Sequence, residues 1–394
     1  MTDDRDAAPH RTDADQDLSG EQNLAGELTL ALGRAPGAWR REALRHNSGN
    51  AVTVDVARYR GEDWSVVGKH VGTGAGAPGA RHWAASNEPA HWNYWRREIE
   101  AYRSGLAERA YAGAGIAGPA LLHSADRPGG GTMLWLADAT GRPGTQWSVD
   151  DVAAAAGALG RGQGAYLAGR ALPDVGWLSR RFLRQYVTSR PADGSVLYDA
   201  ESWQQPLVAE AYVGLAPGLR ELWERREWLL DLVEWLPQTL AHCDVWPANM
   251  LRDVRPATMS RDGGAITLLD WSFVGLGAVG EDAGNLVTDS VWDGWLPAQA
   301  LPELAERVWR AYLGGLRTAG WTGPERLARL GFCAGGAVKY AWLAESSLRA
   351  VAAGSLVSYG GYSAPPPVEL LKTYAAAFGL LLAWVAEVRE LSAG

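Results

Sequence analysis

Residues 241–251, AHCDVWPANML, set a histidine two places before an aspartate and an asparagine five places after it. His242, Asp244 and Asn249 are fixed polar positions in a stretch that is otherwise largely apolar. Such a loop can present a carboxylate to a hydroxyl group and an amide oxygen to a hard metal ion. It can equally be an ordinary connection with a capping aspartate, so its meaning depends on its neighbours.

Downstream, AITLLDWSFVGLG (265–277) reads as a strand running into a polar turn, with Asp270 closing ITLLD and RDGGA (261–265) leaving room for a hairpin before it. Upstream, AVTVDVARYRG (51–61) alternates apolar and polar residues, and DWSVVGKHV (63–71) follows after a turn at Gly61. The pair predicts a β-hairpin with HNSGN (46–50) at its entrance. Lys69 sits near the end of its second strand. Only Lys69, Lys339 and Lys372 are lysines in a chain that otherwise uses arginine. A compact ammonium is then informative, because Arg and Lys are not interchangeable between phosphates.

AHWNYWRREIEAYRSGLAERA (90–110) is helical by pattern, with Trp95, Ile99 and Tyr102 on one side. Glu98 is placed to pair with Lys69, whereas Glu100 falls on the opposite face. GTMLWLADA (131–139) reads as a buried strand. Residues 1–23 are polar and acidic and read as a disordered tail, with LAGELTLALGR (24–34) as the first helix. The Gly/Ala-rich stretch 72–89 is a long loop. Helical patterns dominate the second half, over 148–169, 219–236 and from about 298 to 391. The organisation expected is α+β and two-lobed, a small β-rich lobe over 24–136 and a larger, mainly helical lobe over 137–394.

A net charge of −8 speaks against nucleic acid as a partner. Cys243 and Cys333 make neither a disulfide framework nor a metal-ligand spacing. The acidic N-terminus is unlike a signal peptide. The longest apolar run, YAAAFGLLLAWVAEV (374–388), is too short to span a bilayer and reads as a buried helix. No membrane association and a cytoplasmic location are therefore expected.

Phosphoryl transfer asks a protein mainly for positioning and charge neutralisation. It needs a hairpin over the phosphates, a strand lysine, a helix glutamate, a loop aspartate with an asparagine, and a metal-binding aspartate, in that order. The chain supplies a candidate for each part. HCDVWPANML is similar to the H-G-D-x-x-x-x-N loop of the aminoglycoside phosphotransferase and choline-kinase-like family, a branch of the protein-kinase-like fold. LLDWSFVGLGAVGEDAGNLV (268–287) resembles that family's I-D-W-E-x-x-x-x-G-x-x-x-x-D-L-A stretch. The resemblance implies Asp244 as catalytic base, Asn249 and Asp270 as metal ligands, and Lys69 with Glu98 as the phosphate-side ion pair; His242 itself reads as holding the loop through hydrogen bonds. Asp282 matches a later aspartate that is usually structural.

The sequence departs from that pattern in the phosphate hairpin, where Ser48, Gly49 and Asn50 are the candidates for phosphate contact. Cys243 replaces the small glycine of the loop, and Ser272 stands where glutamate is frequent. The backbone of Leu136 and Ala137 occupies the expected hinge for a nucleotide base. ATP or GTP with Mg2+ is the implied cofactor set. The implied acceptor is a hydroxyl of a small molecule, with a peptide or protein Ser/Thr, or a non-catalytic nucleotide-binding protein, as alternatives. Asp289, Asp293 and Glu345 read as a solvated acidic face or a site for a cationic acceptor. Trp203, Trp271, Trp292 and Trp295 could stack on a ligand, whereas Trp223, Trp228 and Trp235 read as core.

Overall fold

The computed structural model describes residues 13–47, 49–74, 83–128, 130–253 and 266–393. Ser48, part of the 72–89 loop and the RDGGA segment lie outside them. The first lobe is built on a five-stranded antiparallel sheet in the order β1-β2-β3-β6-β5. Its strands are β1 (Arg40–Ala43), β2 (Thr53–Arg60), β3 (Ser65–Val71), β5 (Leu121–Asp126) and β6 (Thr132–Ala137). The short β4 (Ile116–Ala117) belongs to a second sheet. The predicted hairpin is β2–β3, in register from Arg60↔Ser65 to Thr53↔Val71 with one irregularity. β1 went unread because all four of its residues are exposed, leaving no alternation to detect.

Period-two alternation divides the sheet's faces. Ala57, Tyr59, Val66, Met133 and Trp135 form a small core with Leu28 of the helix α1 (Asp13–Leu32). The opposite face carries Val67 and Lys69, which line the interlobe cavity. Gly68 allows this packing: a β-carbon there would lie 3.0 Å from the Tyr59 ring and 3.2 Å from that of Trp135. Helix α1 begins at Asp13, so the part of the predicted tail from 13 to 23 is helical, and residues 1–12 lie outside the description. Once the segment holding Leu28 is docked, extending the helix backwards adds a hydrogen bond per residue at little further cost.

Helix α2 (Arg97–Arg103) packs against the turn after Asp270, and α3 (Leu106–Arg109) leads into β4. The second lobe opens with α4 (Val149–Leu167), whose start is set by a capping box between Ser148 and Asp151. It lies against the helix Leu301–Thr318 through small residues. A β-carbon on Gly160 would fall 2.2 Å from the Tyr312 carbonyl oxygen, so this crossing needs glycine. The pattern at 219–236 resolves into two helices, Ala216–Glu224 and Arg226–Trp235. Trp235, the last residue of the second helix, is 72% exposed, against its expected place in the core.

The C-terminal helix runs Pro367–Ala393, well beyond the apolar run. By length and composition it could cross a membrane, contrary to the reading of 374–388 alone. One face, including Leu371, Phe378, Leu381 and Val388, is buried in the second lobe's core, and that accounts for its apolar character.

Candidate active site

Two pairings bring the distant polar stretches together. β8 (Gln238–Ala241) leads into the 242–249 loop and pairs antiparallel with β11 (Gly275–Ala278). β9 (Met250–Arg252) leaves the loop and pairs with β10 (Ile266–Leu268), which sits between β9 and β4; β9 pairs on its other side with β7 (Arg142–Pro143). The Leu269 N–H donates to the Asn249 carbonyl at 2.8 Å, joining the loop to the turn that bears Asp270. Among the described residues only Cys243 and Asp270 are non-glycine residues at positive φ, 66° and 57°. Backbone strain of this kind persists where surrounding structure enforces it, and it clusters at functional sites. The φ at 243 also explains why related loops would place glycine there.

Lys69 on β3 forms ion pairs with Glu98 of α2 at 2.7 Å and with Asp270 at 3.2 Å. Burial alone would strip the lysine of its proton, but these two carboxylates reverse that and hold it charged. Burial pushes Glu98 up, opposed by Lys69. Burial raises Asp270 too, yet Lys69 outweighs it and the carboxyl lies below its ordinary value. Across the cleft, Asn249 Nδ2 donates to Asp244 Oδ2 at 2.9 Å and to the Asp244 carbonyl at 3.1 Å. The Asn249 amide nitrogen is thereby engaged, and its oxygen is the atom left for a cation. Asp244 is pushed up to about 7 by its deep position, with Asp270 and Asp289 adding to the effect and Lys339 and Asn249 opposing it.

Asp282 holds the loop from below. It accepts the His242 N–H at 2.9 Å, the Cys243 N–H at 3.0 Å and Gln163 Nε2 at 2.8 Å. His242 thus supports the loop through its backbone, while its buried ring stands edge-on to Trp271, centroids 4.9 Å apart. Burial drives that ring down to about 4, so it is neutral near pH 7.

Lys69, Glu98, Asp244, Asn249 and Asp270 all line one cavity of ~680 Å³. Asn50, Leu136 and Ala137 line it as well. The hairpin candidates fare unevenly. Ser48 lies outside the described residues. Gly49 does not line the cavity, and its N–H is taken by Asn47 Oδ1 at 3.0 Å. The Asn50 side chain is engaged by the Val52 N–H and by Asn93, which fits it to hold the loop rather than a phosphate. At the hinge, the Ala137 N–H is donated to the Ala120 carbonyl at 2.9 Å, which removes it as a donor to a base.

Other expectations are corrected by burial. Asp289, Asp293 and Glu345 are not a solvated face; all three are buried. Asp293 accepts Ser358 Oγ and the N–H groups of Gly360 and Tyr362, and Glu345 accepts the Gly194 N–H and Arg349. Trp271 and Trp292 are fully buried, and Trp295 packs on Trp246 and Tyr362. The tryptophans that line the cavity are Trp83, Trp246 and Trp342.

Lys339 was flagged by scarcity but given no role. It is buried 3.3 Å from Asp289, and its charge also reaches Asp244. Arg97 had no signal beyond its charge. It is buried and donates to the carbonyls of Trp92, Trp177, Pro89, His91 and Ser272, tying α2 to the turn after Asp270. Arg45 of the β1–β2 loop stacks on Tyr362 at 4.0 Å and donates to the Gly361 carbonyl, joining the two lobes at the cavity mouth.

A β-rich lobe set over a helical one, with a strand lysine and helix glutamate facing an Asp/Asn loop, is the architecture of the kinase-like phosphotransferases. The chain belongs to the phosphotransferase enzyme family (APH), which matches residues 80–328, well over half its length. Among curated proteins no sequence match is found. Among solved structures the chain is similar to an amicoumacin kinase determined in complex with AMP-PNP, Ca2+ and Ami, at 14% identity over 85% of this chain and 89% of that one, TM-score 0.48. It is also similar to a choline/ethanolamine kinase family protein from Mesorhizobium loti, at 17% identity over 93% and 99%, TM-score 0.45. A third is an aminoglycoside phosphotransferase, at 12% identity over 94% and 98%, TM-score 0.48.

Proposed function

We propose that this protein transfers the γ-phosphate of ATP, with Mg2+, to a hydroxyl group of a small molecule. The observation that carries this reading is the convergence of Lys69, Glu98 and Asp270 with Asp244 and Asn249 on one cavity. Lys69, held charged, would meet the phosphates from the sheet side, with Glu98 fixing its direction. The apolar walls Val56, Val67, Leu136 and Leu251 suit a nucleotide base. Asp244 would orient the acceptor hydroxyl and take its proton as the oxygen attacks phosphorus.

The donors fit a hard divalent cation. Asn249 offers its amide oxygen and Asp270 a carboxylate already oriented by Lys69. Among the described residues no cluster of three or more His, Cys, Asp or Glu could hold a metal alone, so the ion would lean on the nucleotide phosphates, as Mg2+ commonly does. Such an ion, held by Asn249 and Asp270, would neutralise phosphate charge. Asp270→Asn is accordingly expected to weaken Mg2+-dependent nucleotide binding by at least about 10–100-fold. Titrating Mg2+ at fixed nucleotide checks it, and an unchanged titration would remove Asp270 from the metal site.

The cavity suits a small acceptor better than a peptide. Arg45 and the 360–362 turn meet across its mouth, and ~680 Å³ is the size of a small-ligand site. The deciding experiment is transfer of label from γ-labelled ATP, with GTP in parallel, to small-molecule and peptide fractions of host extract. Asp244→Asn serves as control. Asp244-dependent label in the small-molecule fraction supports the reading, and label in peptides favours the alternative. Nucleotide binding with no Asp244-dependent label in either fraction would favour a non-catalytic protein.

A further inference from the structure

Among the described residues, one cation that lines the cavity has no counter-ion. Arg190 follows the helix Phe182–Thr188 and lines the same cavity as Asp244. Its guanidinium carbon lies 3.9 Å from the Tyr186 ring centroid, 4.2 Å from that of Trp83 and 4.5 Å from that of Trp342. Among the described residues it makes no ion pair, and its buried Nε and Nη2 have no hydrogen-bond acceptor. Rings attract a guanidinium through their faces but offer its N–H groups nothing to bond in their plane. The rings close over Nε and Nη2 and leave Nη1, which has no hydrogen-bond partner among the described residues, as the nitrogen open to the cavity. Buried donors left unmet are rare in folded proteins and call for a partner.

The surrounding carboxylates cannot be that partner, and they do not make the cavity a receptor for cations. Asp293 is engaged by Ser358, Gly360 and Tyr362. Glu345 is engaged by Gly194 and Arg349. Asp289 gives Oδ2 to Lys339, whose charge also offsets that of Asp244, and although its Oδ1 has no hydrogen-bond partner it makes no ion pair with Arg190. A polycationic acceptor would meet few available carboxylates here and one uncompensated guanidinium.

We propose that the acceptor is a hydroxy acid, whose carboxylate is bound by Arg190 between Trp83, Tyr186 and Trp342 while its hydroxyl faces Asp244. This rests on the phosphotransferase reading and narrows its substrate class. Nη1 offers that carboxylate a charge-assisted N–H bond, and rings that hold the side chain in place beforehand lower the ordering cost.

The test uses three probes that share a benzyl alcohol body: 4-(hydroxymethyl)benzoate, 4-(hydroxymethyl)benzylamine and benzene-1,4-dimethanol. Binding to the full chain is followed by tryptophan fluorescence, with and without ADP and Mg2+. The carboxylate is expected to bind roughly 10–100-fold more tightly than the other two, the range for a hydrogen bond to a charged group. Arg190→Gln should abolish that preference, and Arg190→Lys should keep part of it, which also covers the case in which the glutamine variant fails to fold. Equal or tighter binding of the amine or diol, no binding of the carboxylate, or a preference that survives R190Q would each overturn the proposal. Mg2+-dependent binding of ATP is measured separately. If it is intact and the carboxylate preference is missing, this inference fails alone; if it is missing, the phosphotransferase reading itself fails.

Discussion

Asp244→Asn is expected to lower turnover by about 10²–10⁴-fold while leaving the fold and nucleotide affinity near wild type. Asparagine has the shape of aspartate and keeps an oxygen that can accept from Asn249 Nδ2, the contact that measures 2.9 Å in the native loop. The second Asn249 bond goes to the Asp244 backbone carbonyl at 3.1 Å and is untouched by the substitution. What disappears is the only feature that separates the two side chains, a negative oxygen able to orient a hydroxyl and receive its proton. Steady-state turnover together with nucleotide affinity checks this. Wild-type-like turnover would remove Asp244 from the chemistry, and a parallel loss of nucleotide affinity would mean the carboxylate acts on the donor side.

The parts of this site that were legible in the sequence share a property: each is marked by a local pattern. Asp244 and Asn249 sit at a fixed spacing in one loop, and Asp270 closes a short apolar strand. Lys69 stands out in an arginine-rich chain, near the end of the β-rich run that follows an alternating one, and the two runs pair as the expected hairpin. Glu98 follows from helical phase, and the structure joins it to Lys69 at 2.7 Å. The illegible parts depend on long-range burial. Lys339, Arg97 and Arg190 are charges on or beside helices, where sequence alone suggests solvent. Their partners are carbonyls, rings and a carboxylate from other elements, which no local window contains. Asp289, Asp293 and Glu345 were misread for the same reason. Conversely, Trp235 reads as core by helical spacing, yet it ends its helix 72% exposed, while Trp228 one heptad earlier packs on the core. The phosphate hairpin was unreadable because β1 has no buried face to impose a pattern.

Asp282→Asn should produce the opposite profile to Asp244→Asn, with stability and turnover falling together. Asp282 is fully buried and accepts three hydrogen bonds, the Cys243 N–H on Oδ1 and the His242 N–H and Gln163 Nε2 on Oδ2. Burial pushes its carboxyl up, and the backbone donors together with Lys339 oppose this. An asparagine has one acceptor oxygen and turns an NH2 group toward the remaining donors. If its oxygen meets His242 and Gln163, the Cys243 N–H is orphaned; if it meets Cys243, two donors are. Relief of a buried charge offsets part of the loss. The net cost is expected at about 2–4 kcal/mol of unfolding free energy, since each orphaned buried donor costs about 1–3 kcal/mol. The consequence for chemistry follows from position. The residues released are the two that precede Asp244, and Cys243 already holds an unfavourable φ of 66° that these contacts help enforce. A loop relaxed by an ångström at the acceptor hydroxyl can lose about 10²-fold in rate. Urea unfolding, turnover and nucleotide affinity measured on one preparation would separate the two variants. Asp282→Asn with wild-type stability and turnover would show that the loop is held by β8–β11 pairing alone, and that Asp282 is dispensable to it.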